Sequence, residues 1–258
     1  MGHLEGVKGF LIDMDGTIYK GMEPIPGAKE FISYLKAKNI PFAMLTNNSS
    51  SSRSHYLRKL TDMGFDVGME NILTSSTATI LHLQAHCEGK AVYPLGTPQF
   101  MEELQEAGIL VSDTAPIVLL AFDRTITYEK INRAYHLLLE GAELIATHPD
   151  DLCPTEDGYD VDVGPFIRMF EELTGRKASV IGKPNAAMAE MASLHLNVPV
   201  SQMAMIGDRL YTDMRMAVEN GMTSILVLSG EADRGSLQAS GMSIDVVVDS
   251  VADLVGKT

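Results

Sequence analysis

The stretch that most constrains this chain is Phe10-Leu11-Ile12-Asp13-Met14-Asp15-Gly16-Thr17. An apolar run over 7–12 has the character of a strand buried on both faces, and it stops abruptly at two carboxylates two residues apart. Continuous apolar runs of this kind belong to parallel sheets, and ligands of open α/β sheets bind outside the carboxyl ends of the strands. Asp13 and Asp15 are therefore expected where chemistry is done. Gly16 lets the chain turn sharply there with its amides exposed. A strand followed by an Asp-Gly turn is also a common structural device, so the pair needs support from the rest of the chain.

That support begins with β-α alternation. Ala28, Phe31, Ile32 and Leu35 recur at helical spacing, with Asn39 as the stop. A second apolar strand over 41–45 closes on Thr46-Asn47-Asn48, and a helix follows with Leu57, Leu60 and Met63 inward and Gly64 as its end. The segment 19–27, with Pro24 and Pro26, reads as a loop.

The middle third predicts strands over 91–95, 117–122 and 144–146 and helices over 100–107, 128–140 and 165–173. A polar acidic loop over 148–162 carries Asp150, Asp151, Glu156, Asp157, Asp160 and Asp162 and reads as a solvated face. Asp123-Arg124 reads as a surface pair or cap. The last third returns to strands, 179–181 closing on Gly182-Lys183-Pro184 and 203–206 closing on Gly207-Asp208-Arg209, with Asp213 five residues on. A helix over 186–196 lies between them, a helix after Asp213 runs to Asn220-Gly221, and strands at 224–228 and 246–248 end the series. The fold class expected is α/β: a doubly wound, parallel, Rossmann-like core with a second α/β domain inserted.

Four predicted strand ends thus carry polar groups: Asp13/Asp15, Thr46/Asn47, Lys183 and Asp208/Asp213. In one parallel sheet they share an edge. Each has an ordinary use alone: Lys183 as a solvated residue where a helix starts, Thr46 and Asn47 as caps, Asp208 as a turn residue, Asp213 as a cap. Together they make a legible set. Clustered carboxylates repel unless a hard dication neutralises them, which favours Mg²⁺, and a lysine with a threonine hydroxyl beside it suits a phosphate group.

Bulk properties exclude other classes. A net charge of −14 repels phosphate backbones, so nucleic acid and anionic membranes are not expected partners. No run has the length of a membrane helix, and the N-terminus lacks a basic region followed by a long apolar stretch, which predicts a cytoplasmic protein. The two cysteines, Cys87 and Cys153, are expected to be free thiols. The 16 methionines are read as core filler. The seven histidines are read as scattered and structural rather than as a zinc site.

Asp13-Met14-Asp15-Gly16-Thr17 resembles the DxDGT signature of the haloacid dehalogenase (HAD) superfamily. Thr46-Asn47-Asn48, Lys183, and Gly207-Asp208 with Asp213 resemble its second, third and fourth motifs, in order, along essentially the whole chain. The insertion between the second motif and Lys183 is similar to a C2-type (class IIA) cap, and the Gly182-Lys183-Pro184 and 207–213 segments resemble the NagD or p-nitrophenylphosphatase-like subgroup. The resemblance implies a HAD core at 1–77 and 180–258 and a cap at 78–179. It implies a phosphatase acting on small phosphate monoesters, such as sugar phosphates or nucleoside monophosphates, through an aspartyl-phosphate. Asp13 is then the nucleophile and Asp15 the general acid/base. Thr46, Asn47, Asn48 and Lys183 hold phosphate, and Mg²⁺ is bound by Asp13, the Asp15 backbone carbonyl and Asp208. Asp213 and Gly16 are supporting residues. Caps of this type often support homodimers. A phosphomutase, a receiver-like phospho-acceptor and a pure binding protein are the competing functions.

Overall fold

The computed structural model describes residues 4–155 and 158–257, with side chains left undescribed at Pro154 and Thr155. The chain makes two compact units. The first comprises Met1–Thr46, Arg53–Leu73 and Lys183–Thr258; the second comprises Asn47–Ser52 and Thr74–Gly182. No described helix is long and apolar enough to cross a membrane.

The first unit is built on β1 (Gly9–Asp13), whose five residues are all buried. Such a strand needs partners on both edges and cover on both faces. The sheet also contains β4 (Phe42–Thr46), β5 (Ile72–Thr74), β12 (Met203–Gly207), β13 (Thr223–Val227) and β14 (Val246–Val248), in the order β14-β13-β12-β1-β4-β5. The pairs of β1 with β12 and β4, of β12 with β13, and of β13 with β14 are parallel. Helices α1 (Ala28–Ala37), α2 (Arg53–Asp62) and α7 (Ala186–Leu196), each expected from the sequence pattern, lie in this unit. On α1, Ala28, Phe31, Ile32 and Leu35 are fully buried, and Phe31 meets Phe10 of β1 edge-on with ring centroids 6.2 Å apart. Phe31, Ile32 and Leu35 each contribute about 1.5–3 kcal/mol of burial free energy. Met44, Met203, Met205 and Met214 are fully buried, as filler should be.

The second unit carries its own parallel sheet of β6 (Val92–Leu95), β7 (Ile117–Leu120), β8 (Glu143–Ala146) and β11 (Ala178–Val180), in the order β11-β8-β7-β6. Helices α3 (Ser75–His86), α4 (Pro98–Glu106), α5 (Tyr128–Leu139) and α6 (Val163–Thr174) accompany it. Leu120, Leu138, Leu144, Ile167 and Phe170 form its core.

Four expectations need correction. The strand before Lys183 belongs to this second sheet, not to the sheet of Asp13, so Lys183 reaches its partners from a loop and not from a shared sheet edge. The acidic stretch 148–162 is not simply a loop: β9 (Leu152–Thr155) and β10 (Gly158–Val161) pair as an antiparallel hairpin. Glu156 and Asp157 lie outside the described residues. The segment 19–27 contains a two-residue hairpin, β2 (Tyr19–Lys20) with β3 (Glu23–Pro24). The single helix expected after Asp213 is a π-helical turn, Leu210–Met214, followed by α8 (Arg215–Glu219); α9 (Arg234–Ser240) was not anticipated.

Candidate active site

The end of β1 turns tightly: the Met14 carbonyl accepts from the amides of Thr17, Ile18 and Tyr19. Gly16 has φ +86°, and a Cβ there would collide with the Asp208 carboxylate, so backbone conformation and space both demand glycine. Asp13 is buried and Asp15, two residues on, is exposed. β12 runs beside β1 and ends in Gly207, which delivers Asp208 beside the Asp13 turn.

Three buried carboxylates meet here. Ligand oxygens of Asp13, Asp208 and Asp213 all lie within 4.8 Å of one another. The Lys183 ammonium bridges two of them, at 2.5 Å from Asp13 Oδ1 and 2.7 Å from Asp213 Oδ1. Lys183 is itself buried, so it is not a solvated residue at a helix start. Asp213 is fully buried and both its oxygens are engaged, Oδ2 accepting from the Arg209 amide at 3.1 Å. Asp208 is held by the Glu231 amide on Oδ2 at 2.7 Å and faces the Thr17 hydroxyl on Oδ1 at 3.4 Å. The Ser229 hydroxyl donates to the Gly16 carbonyl at 2.7 Å.

The electrostatics follow from one ammonium facing three carboxylates. Burial pushes Asp13 up to about 8, against the pull of Lys183 and with the push of Asp213 and Asp208. Burial, then Asp213, lifts Asp208 to about 6. Burial would lower Lys183, but Asp13 and Asp213 more than reverse that, and it stays an ammonium. Its 2.5 Å contact with Asp13 favours the carboxylate against the rise from burial, and a dication beside the pair would favour it further. The excess negative charge and the all-oxygen donor set fit a small hard dication.

Thr46 ends β4, one residue past Leu45, the register partner of Asp13. Asn47 and Asn48 pack within the second unit. The Asn47 amide donates to both Asp150 oxygens at 3.1 and 3.2 Å, and Asn48 Oδ1 accepts from the Ser50 amide at 2.8 Å. Within the first unit the structure thus gathers Asp13, Asp208, Asp213, Lys183 and Gly16.

Other expectations change. Asp123 is no surface residue: its side chain has no exposure, and it pairs with Lys130 at 2.7 Å and Thr125. The described acids of the 148–162 stretch are engaged as well, Asp151 by Arg168 at 2.6 Å and Asp162 by the Val163 amide at 2.8 Å. Cys87 and Cys153 form no disulfide, as expected, and burial pushes the Cys153 thiol up to about 11. The histidines are not all scattered: His82 and His86 stand four apart on α3 with ring centroids 4.7 Å apart. Sequence reasoning also missed Ser229, Gly230 and Glu231. A Ser-Gly pair after the apolar strand β13 marks a strand end, but nothing in it tells that these residues serve the Asp13 turn and Asp208.

Comparison with known proteins places the chain in a family. Residues 10–110 match the haloacid dehalogenase-like hydrolase family, and 180–254 match a second, HAD-hydrolase-like description. The chain is 34% identical over 246 residues to a dihydroxyacetone phosphatase of Corynebacterium glutamicum, covering 95% of this chain and 90% of that protein. It therefore belongs to the HAD-like hydrolases and is a phosphatase of that family. Among solved structures, a 4-nitrophenylphosphatase from Thermotoga maritima superposes with a TM-score of 0.92 at 38% identity, covering 98% of each chain. NagD from E. coli K-12 superposes with a TM-score of 0.89 at 27% identity, covering 96% of this chain and 98% of that one. Within the family, the place of this chain is the NagD/p-nitrophenylphosphatase-like subgroup, class IIA.

Proposed function

We propose that this phosphatase hydrolyses small phosphate monoesters, sugar phosphates foremost, with Mg²⁺ and through an aspartyl-phosphate on Asp13. The observation that carries the reading is the buried Asp13 carboxylate ion-paired to Lys183 beside Asp208 and Asp213. The sugar-phosphate preference is supported by relatives named for such substrates, the dihydroxyacetone phosphatase and the sugar-phosphatase AraL of Bacillus subtilis, the latter 33% identical over 250 residues.

Asp13, the exposed Asp15 and Lys183 divide the work. An Asp13 oxygen attacks phosphorus as the ester P–O bond breaks, and Asp15 gives its proton to the leaving oxygen. Asp15 then takes a proton from water, whose oxygen attacks phosphorus, releasing phosphate and restoring the Asp13 carboxylate. The Lys183 ammonium, the Thr46 hydroxyl and the amides and side chains of Asn47 and Asn48 balance the charge of the transferring group. Asp13, Asp208 and the Asp15 carbonyl would hold Mg²⁺, which supplies further charge neutralisation at the phosphoryl oxygens. Asp213 holds Lys183 in place, and Gly16 leaves room for Asp208. Residues 78–179 act as a cap that excludes water and selects the leaving group. Cytoplasmic location and a homodimer through the cap belong to the same proposal, the latter open to light scattering.

The test is phosphate release from p-nitrophenyl phosphate and a panel of sugar and nucleoside monophosphates, with Mg²⁺, with EDTA, and in Asp13→Asn. Turnover that needs both the metal and Asp13, fastest on sugar phosphates, is expected. Substantial Mg²⁺-dependent turnover by Asp13→Asn would overturn the nucleophile. A single stoichiometric phosphorylation would point to a phospho-acceptor, and transfer back to product to a mutase.

A further inference from the structure

A second cluster, wholly within the second unit, is not used by this chemistry. His148 follows the end of β8, Asp150 lies just before β9, and Asp162 just after β10, capping α6 by accepting the Val163 amide at 2.8 Å. The three residues therefore bracket the neck of the β9–β10 hairpin. One ligand atom from each lies within 4.8 Å of the others. His148 has no exposure, Asp162 has 3%, and Asp150 is half-buried.

The hydrogens around His148 can be counted from outside the cluster. The Thr147 hydroxyl donates to Ser49 Oγ at 3.0 Å, and Ser49 Oγ also accepts the Phe122 amide at 2.9 Å. Having given its one hydrogen away, Thr147 accepts from His148 Nδ1, 2.9 Å away. The ring hydrogen of neutral His148 is thus on Nδ1, and Nε2 points its lone pair at Asp162 Oδ1, 2.9 Å away. Two lone pairs at that distance require a positive centre between them, a proton or a metal ion. Metal-ligating histidines characteristically donate their other ring N–H to an oxygen, as Nδ1 does here.

We propose that His148 Nε2, Asp162 and Asp150 form a second cation site, for a borderline first-row dication such as Zn²⁺, that clips the neck of the β9–β10 hairpin. An imidazole with two carboxylates suits Zn²⁺ better than Mg²⁺, which prefers oxygen and water. Bonds of about 2.0–2.2 Å put neighbouring ligand atoms roughly 3.0–3.5 Å apart, close to the His148–Asp162 separation. The Asp150 carboxylate, with the Asn47 amide on it, retains lone pairs for a third bond. The site does not depend on the phosphatase reading.

The experiment is a Zn²⁺ titration of the full chain against a chromophoric chelator, in about 5 mM Mg²⁺ so that the oxygen-only site is occupied. Wild type, Asp208→Asn, Asp150→Asn and His148→Gln are compared. One Zn²⁺ per chain is expected in wild type and in Asp208→Asn, with affinity at least ~10-fold weaker in Asp150→Asn and His148→Gln. Long-range ¹H–¹⁵N spectra are expected to show His148 Nε2 without a proton once Zn²⁺ is added. Asp150 is on the rim, so its variant carries the test if His148→Gln does not fold. Three results would overturn the proposal: no Zn²⁺ uptake, uptake indifferent to Asp150→Asn, or a proton retained on Nε2, which would leave only an imidazolium–carboxylate pair.

Discussion

Asp13 and Asp123 invite comparison. Each is a buried aspartate at or just past the carboxyl end of an interior strand, Asp13 closing β1 and Asp123 three residues beyond β7. Asp123 is satisfied locally: Thr125 donates to it from two residues away and Lys130 pairs with it from seven. Asp13 finds its cation 170 residues away and shares it with Asp213, with Asp208 alongside. A carboxylate answered by its own loop is finished as a structural element. One that must share a distant cation with other acids keeps charge in hand for a metal and an electrophile.

Breaking the comparison at Asp13 has the largest effect. Asp13→Asn is expected to lower kcat by ~10,000-fold or more while circular dichroism and the Tm remain near wild type, as follows for loss of a nucleophile. Lys183→Met removes the shared cation and leaves buried carboxylates uncompensated. A loss of about 3–5 kcal/mol in the metal-free protein is expected by urea unfolding, with part of it recovered in Mg²⁺. Asp123→Asn breaks only the local pair with Lys130, so about 1.5–3 kcal/mol of stability should go, with kcat/KM unchanged within about twofold.

The smallest effect sharpens the contrast through pH. Asp13 and Asp208 are raised by burial, so the folded metal-free protein holds protons that the unfolded chain has released. Their contribution therefore weakens stability as pH rises from about 4, through about 6 for Asp208 and about 8 for Asp13. Mg²⁺ competes with those protons, and its stabilisation should grow over the same window by about 1.4 kcal/mol per pH unit for each proton displaced. Thermal melts at pH 5.5 and pH 8, with and without Mg²⁺, check this; equal Mg²⁺ shifts at both would contradict it.

The sequence made the central elements legible because β1, β4 and β12 are short apolar runs ending in chemistry, and α1 and α7 have clean starts and stops. It concealed β5 and α3, because Ile72-Leu73-Thr74 is brief and the first turns of α3 are Ser, Thr and Ala buried on several sides, without an amphipathic stripe. It concealed the β9–β10 hairpin because polar alternation resembles a solvated loop. Asp13, Asp208, Asp213 and Lys183 were readable as charged residues after apolar runs. The share of Ser229 and Glu231 was not, since Ser229 works by its hydroxyl on a carbonyl and Glu231 by its backbone amide, which any residue supplies. The assignment of the strand expected at 179–181 to the first sheet failed because a three-residue strand does not encode which sheet it joins.

The pairing of β1 with β12 also sets a schedule for synthesis. Phe10 registers against Ala204 and Ile12 against Ile206, so the two middle strands of the first sheet leave the ribosome about 190 residues apart. At about 5–20 residues per second, one edge of β1 waits on the order of ten seconds or more for its neighbour. The strands of the second sheet emerge in full during that interval. A nascent chain that has emerged as far as residue 182 thus holds every strand of the second sheet and only half of the first, with an apolar strand edge available to chaperones or to other copies of itself.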